Sequence, residues 1–257
     1  MARQTIKKKK VACQCSPECI LTPEPGSAFC KKHSKRCSIK SPLSGYEPDY
    51  NPDKYNKTRK MRESHNCFAY AFDHVEMPSE LDCNENECNV SFHQPGRKSG
   101  FPKWSEARGK RCPDIFARLR ADAGKISSSS FTHKCPAGTS KIALVVAPDT
   151  CNNGGKKYKS CNSNKTGDYH FYRQDSNGWW SHKPGGTAVT NKDAEGRPIW
   201  NPELAARDYR DKASDTLNYK YFCNYMCIPR KTKYTFKRGG KGKAVKYQNK
   251  TYKNKSK

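Results

Sequence analysis

The chain has 257 residues and a formal charge of +26, and only 33% of it is apolar, much of that Tyr and Cys. Such a composition allows one good-sized domain with appendages, or two small ones, around a modest core that metal or disulfide staples would reinforce. No apolar run approaches the roughly 20 residues of a bilayer-spanning helix, and the charged start MARQTIKKKKVACQC lacks the apolar stretch of an ordinary secretory signal.

The charge is concentrated at the two ends. Residues 1–62 carry 15 Lys and Arg against 5 acids, residues 63–229 carry 23 against 19, and residues 230–257 carry 12 with no acid. A nearly neutral centre between cationic ends predicts that residues 1–12, a basic arm, and residues 230–257, a Lys-rich tail, meet nucleic acid or another polyanion. Tyr234, Phe236, Tyr247 and Tyr252 are spaced through the tail, where aromatic rings could stack on bases or on a partner.

Residues 13–40 hold five of the 14 cysteines, as Cys13-x-Cys15-x3-Cys19 and Cys30-x2-His33-x3-Cys37. With few aliphatic residues this segment needs a staple, and short Cys pairs separated by a turn suit tetrahedral zinc. The preferred ligand set is Cys15, Cys19, Cys30 and His33, with Cys13 or Cys37 as substitutes; a disulfide knot is the alternative. Residues 41–62, rich in Pro, Asn and Tyr without periodicity, read as an extended linker.

Residues 63–229 carry the regular structure. SHNCFAYAFDHVEM (64–77) reads as a helix with Ser64 or Asn66 as N-cap, placing Cys67 in its first turn, where free N–H groups and the helix dipole would favour a thiolate. A second helix is expected at 113–123, between Pro113 and Gly124, and KIALVVAP (141–148) reads as a buried strand. DYHFYRQ and GWWSHKP flank a turn signal at Asp175-Ser176-Asn177-Gly178. A three-residue loop with Gly178 left-handed pairs Tyr172 with His182 and puts His170 and His182 on one face. His170 could then take a proton from Cys67, with His182 orienting it; equally, these are ordinary strand residues and a small buried hydrophobe. Residues 141–147, 169–174, 179–183 and about 219–227 are predicted to form one mainly antiparallel sheet with the Cys67 helix across it, an α+β fold. The cysteines at 83, 88, 112, 135, 151, 161, 223 and 227 are even in number and would form four disulfides in an oxidising setting.

A helix opening Asn-Cys-aromatic-Ala-Tyr-Ala, a strand carrying His and a polar residue on the next strand resemble the papain-like fold, nearest to NlpC-type and CHAP-type peptidases and amidases. The likeness covers about residues 63–229. It implies Cys67 as nucleophile, His170 as base and His182 as third residue; whether the chain is an active hydrolase stays open. The whole chain, with its basic arm, Phe-Cys-x2-His module, Tyr/Pro/Asn linker and Lys-rich end, resembles proteins of large DNA viruses of algae and amoebae. That resemblance implies a minor capsid protein located in the virion, with other capsid proteins as partners.

Overall fold

The computed structural model describes residues 12–35, 37–84, 86–104, 112–147, 167–209 and 217–230. Nearly all of the basic arm and of the Lys-rich tail, together with Cys151 and Cys161, lies outside them. The architecture is α+β. Among the described residues, four helices, α1 (Asp53–Asn56), α2 (Arg59–Ser64), α3 (Cys67–Ala71) and α4 (Cys112–Ala123), accompany five strands, β1 (Ser127–Ser129), β2 (Thr139–Val146), β3 (Tyr169–Gln174), β4 (Trp180–His182) and β5 (Tyr221–Pro229). The strands form one antiparallel sheet in the order β1-β5-β2-β3-β4. None of the described helices is long and apolar enough to cross a membrane.

Alternation along the strands divides the core in two. Ile142, Leu144 and Val146 of β2, Tyr169 and Phe171 of β3, and Met226 and Ile228 of β5 pack with Cys67 and Phe68 of α3 and with Ile115 and Leu119 of α4. Ala143, Val145, Tyr172, Trp180 and Tyr225 point the other way, under loop residues Ile199, Ala205 and Tyr219. Strands buried on both faces read as near-continuous apolar runs, and β2 after its first residue is buried throughout.

The hairpin has the predicted register. Tyr172 pairs with His182 and Gln174 with Trp180, Gly178 adopts φ 85°, and the Asp175 N–H donates to the Trp179 carbonyl at 2.9 Å. α4 begins at Cys112 with Pro113 in its first turn and is followed by Gly124 at φ 68°. The helix expected over 64–77 is shorter. Asn66 caps it, accepting from the Ala69 N–H at 3.1 Å, but Asp73 takes a left-handed φ of 56° and the His74 N–H turns back to the Ala69 carbonyl.

Residues 41–62 are not the extended linker that their composition suggested. They contain α1 and most of α2 and strap the sheet: the Ser41 hydroxyl donates to Gln174 at 3.0 Å, the Arg173 guanidinium to the Asp49 carbonyl at 2.9 Å, and Tyr55 is wholly buried against Tyr70. Tyr55, which read as linker composition, is a core residue here, with Tyr50 packed partly buried against the same cluster. The N-terminal module docks through Gln14, whose amide donates to the Pro198 carbonyl at 3.1 Å and whose carbonyl accepts from the Trp200 and Asn201 N–H groups at 2.7 and 3.1 Å.

Candidate functional site

α3 sets Cys67 against the stretch of β3 that outruns β4. β4 pairs with residues 172–174 only, so the backbone of β3 at 169–171 is open on that side, and the Cys67 thiol donates to the Tyr169 carbonyl at 3.9 Å. Cys67 is buried in the same core cluster as Phe68, Trp104 and Tyr169. Burial, reinforced by the negative charge of Asp168, pushes its pKa up to about 12, the reverse of the thiolate expected at a helix start. A five-residue helix offers only a small dipole, and desolvation wins.

His170 and His182 lie on the other face of the sheet with Tyr172 and Tyr219 around them. His170 Nε2 and His182 Nδ1 are 2.7 Å apart, and His182 Nε2 lies 2.9 Å from the Lys192 carbonyl. A carbonyl only accepts, so His182 carries its proton on Nε2, its Nδ1 accepts from His170 Nε2–H, and His170 Nδ1 keeps its lone pair. This tautomer is assigned from the hydrogen-bond network. Burial drives both rings toward the neutral form, lowering His170 well below its ordinary value, with His182 adding to the effect, and His182 to about 4. The structure therefore brings the two histidines together. Among the described residues, no hydrogen bond joins either of them to Cys67.

Next to Cys67, the buried Lys183 ammonium donates to the backbone carbonyls of His65, Gly185 and Thr187 at 2.6, 2.8 and 2.9 Å and also to that of Arg62. It pins the turn that leads from α2 into α3. No feature of the spacing pointed to this lysine; only its place one residue after His182 on a buried strand end could have done so.

The second cluster belongs to the N-terminal module. Cys13 Sγ lies 3.5 Å from His33 Nδ1, Cys30 Sγ 3.4 Å from the same atom, and Cys19 Sγ 3.7 Å from Cys30 Sγ. Metal–sulfur bonds of about 2.3 Å and metal–nitrogen bonds of about 2.0 Å give tetrahedron edges of about 3.5 to 3.8 Å, so these four residues could hold a metal ion. The turn at 30–34 places Cys30 and His33 on one side, through the His33 N–H donating to the Cys30 carbonyl at 2.9 Å. Cys30 is buried, yet hydrogen bonds from the His33 N–H and the neighbouring thiols bring its pKa below the ordinary thiol value.

Cys15, in the preferred ligand set, is a correction. It is joined to Cys37 in a disulfide, and Cys13 takes its place. The physical reason is local pairing: the Gln14 N–H donates to the Ala28 carbonyl at 2.9 Å and the Cys30 N–H to Cys13 Sγ at 3.3 Å, so the returning loop crosses at residue 13.

Among the described residues, three further disulfides join Cys83 to Cys88, Cys112 to Cys223 and Cys135 to Cys227.

No family model matches the chain, and no solved structure matches it. Over 159 residues, 62% of its length, the chain is 31% identical to the insoluble matrix shell protein 1 of Ruditapes philippinarum, covering 80% of that protein.

Proposed function

Because the chain belongs to the family of the insoluble matrix shell protein 1 of Ruditapes philippinarum, we propose that it is a structural protein of a dense, insoluble assembly, tethered there by its basic ends. The observation that carries this reading is the anchorage of β5. That strand lies between β1 and β2, is bonded to Cys112 and Cys135 through Cys223 and Cys227, and leads directly into the Lys-rich tail. Arg230, at the junction, donates its N–H to the Gly138 carbonyl at 2.9 Å. Tension on the tail would be met by a strand held on both sides and cross-linked to both layers of the core.

In this reading the papain-like domain serves as a building block. The assembly implied by the chain's resemblance to proteins of large DNA viruses of algae and amoebae is the inner layer of the virus particle. Its partners there are other capsid proteins and nucleic acid or another polyanion, and Cys13, Cys19, Cys30 and His33 hold structural zinc. Deleting residues 231–257 tests the tether. The full chain should bind double-stranded DNA with an affinity that falls steeply with salt, as counterion release requires. The truncated chain should lose most of that affinity and keep its melting temperature. Binding that is weak and nearly independent of salt would remove the polyanion and leave only a protein tether.

A second reading, a cysteine amidase or peptidase packaged in the particle or acting on a cell wall, has one observation in its favour: the His170–His182 pair holds its tautomer with a free lone pair on His170 Nδ1. The two readings differ in the behaviour of the Cys67 thiol. A thiol pKa of about 12, against 9.0 for an unperturbed one, leaves about 1,000-fold less thiolate at neutral pH. The structural reading expects iodoacetamide to modify native Cys67 far more slowly than a free thiol. Selective, rapid labelling of Cys67 at pH 7 would instead establish the hydrolase.

A further inference from the structure

Where the chain leaves α3, three side chains from two segments converge. His74 Nε2 lies 3.5 Å from Glu76 Oε2, and His93 Nε2 lies 3.2 Å from the same oxygen. The two imidazole rings stand edge to face with centroids 4.9 Å apart, and the three donor atoms all fall within 4.8 Å of one another. With bonds of about 2.0 to 2.1 Å from metal to imidazole nitrogen or carboxylate oxygen, neighbouring donors in a tetrahedral site sit about 3.3 Å apart. Two of the three pairs are already at that spacing.

The backbone of each of the three residues is also held. The His74 backbone is fixed by its N–H on the Ala69 carbonyl at 2.9 Å and by the Tyr55 hydroxyl on its own carbonyl at 3.2 Å. The Glu76 N–H donates to the buried His65 Nε2 at 3.0 Å, and His65 Nδ1 in turn lies 2.9 Å from the Met61 carbonyl. The His93 carbonyl accepts from the Asn66 side-chain amide at 2.9 Å, the same Asn66 that caps α3. Anchored main chain of this kind limits how far the three side chains can spread. The site is buried on one side, where His93 is wholly enclosed, and open on the other, where the Glu76 side chain is 51% exposed.

We infer that His74, Glu76 and His93 form a binding site for a divalent first-row metal ion, separate from the cysteine cluster of the N-terminal module. Two imidazoles and one carboxylate suit zinc, cobalt or a neighbouring ion of borderline softness. The solvent side leaves a fourth position for water. Bound metal would tie the exit of α3, at His74 and Glu76, to His93 at the far end of the loop that contains the Cys83–Cys88 disulfide.

Cobalt(II) and zinc are the probes, applied to the full-length protein after chelator treatment and dialysis. Cobalt at this site should show d–d absorption without the thiolate charge-transfer band of a cysteine site. Glu76→Gln, at the exposed position, should remove one bound equivalent or weaken its binding at least about 100-fold. It should leave the metal-free protein's melting temperature and any thiolate band as they were. His74→Gln should behave in the same way. Cys30→Ser should do the opposite, abolishing the thiolate band and sparing the other equivalent, so failure of the zinc module is told apart from failure of this site. Unchanged stoichiometry and affinity in both Glu76→Gln and His74→Gln would overturn the inference and leave an ordinary His–Glu ion pair.

Discussion

The two faces of the sheet are covered in different materials and held by the same device. One face lies under helices α3 and α4, and its core is aliphatic and aromatic, with the Cys67 thiol as a neutral member. The other lies under irregular chain from 130–138, 190–209 and 217–219, and mixes aromatic rings with two imidazoles and the buried Lys141 ammonium, which donates to the Ser41 hydroxyl and the Phe131 carbonyl at 2.8 and 2.9 Å. Each cover is bonded to β5 by one disulfide, Cys112–Cys223 on the helical side and Cys135–Cys227 on the loop side. The difference teaches where stability resides in a chain of low apolar content. Helices can satisfy their own backbone groups and seal a face by packing alone, whereas irregular chain must be supplied with hydrogen-bond partners one group at a time.

The largest effect that would break this comparison is loss of the staples. The sequence separations of 111 and 92 residues predict nearly equal losses, about 4 to 5 kcal/mol for each bridge from chain entropy. Paired substitutions, Cys112→Ala with Cys223→Ala and Cys135→Ala with Cys227→Ala, should therefore lower the stability of the oxidised protein by similar amounts in denaturant titrations. Hydrogen exchange should separate them. Loss of the first should release α4 while its helical bonds reform readily, and loss of the second should expose the 130–138 segment and the Lys141 site. Identical exchange patterns in the two variants would mean that the faces open as one unit.

Much of this contrast was legible in the sequence, for reasons that lie in particular residues. Gly178 decided the hairpin loop, the loop decided the register, and the register put His170 beside His182. Asn66 and Pro113 marked helix starts that the structure keeps. What could not be read depended on long-range burial. Asp73 ends α3 early in a left-handed conformation that aspartate tolerates but does not advertise. Ser127–Ser129 forms an edge strand with no apolar alternation, because pairing to β5 alone defines it. The α1–α2 strap was hidden because Pro, Asn and Tyr look like linker until Tyr55 finds Tyr70. The choice between Cys13 and Cys15 turned on one backbone pairing, Gln14 to Ala28, which spacing does not encode. The raised pKa of Cys67 depended on its burial under the sheet, which no local pattern encodes.

Acid titration would sharpen the comparison with a smaller effect, because only the loop-covered face carries the imidazole pair. Burial lowers His182 to about 4, from an ordinary 6.5, and lowers His170 as well. A base with a depressed folded pKa binds fewer protons folded than unfolded, so stability rises with pH across the window between the two values. The contribution is complete above about pH 6.5 and is lost as pH falls toward 4, amounting to about 3 kcal/mol for His182 alone. His182→Gln, which keeps a donor and an acceptor but cannot titrate, should flatten the acid limb of a stability-against-pH curve over that range. Cys67→Ala should shift the curve downward through lost packing and leave the shape of the acid limb unchanged, since a neutral thiol has no proton to gain there. A changed acid limb in Cys67→Ala would mean that the thiol and the imidazoles share a proton across the sheet, and the two faces would then have to be treated as a single site.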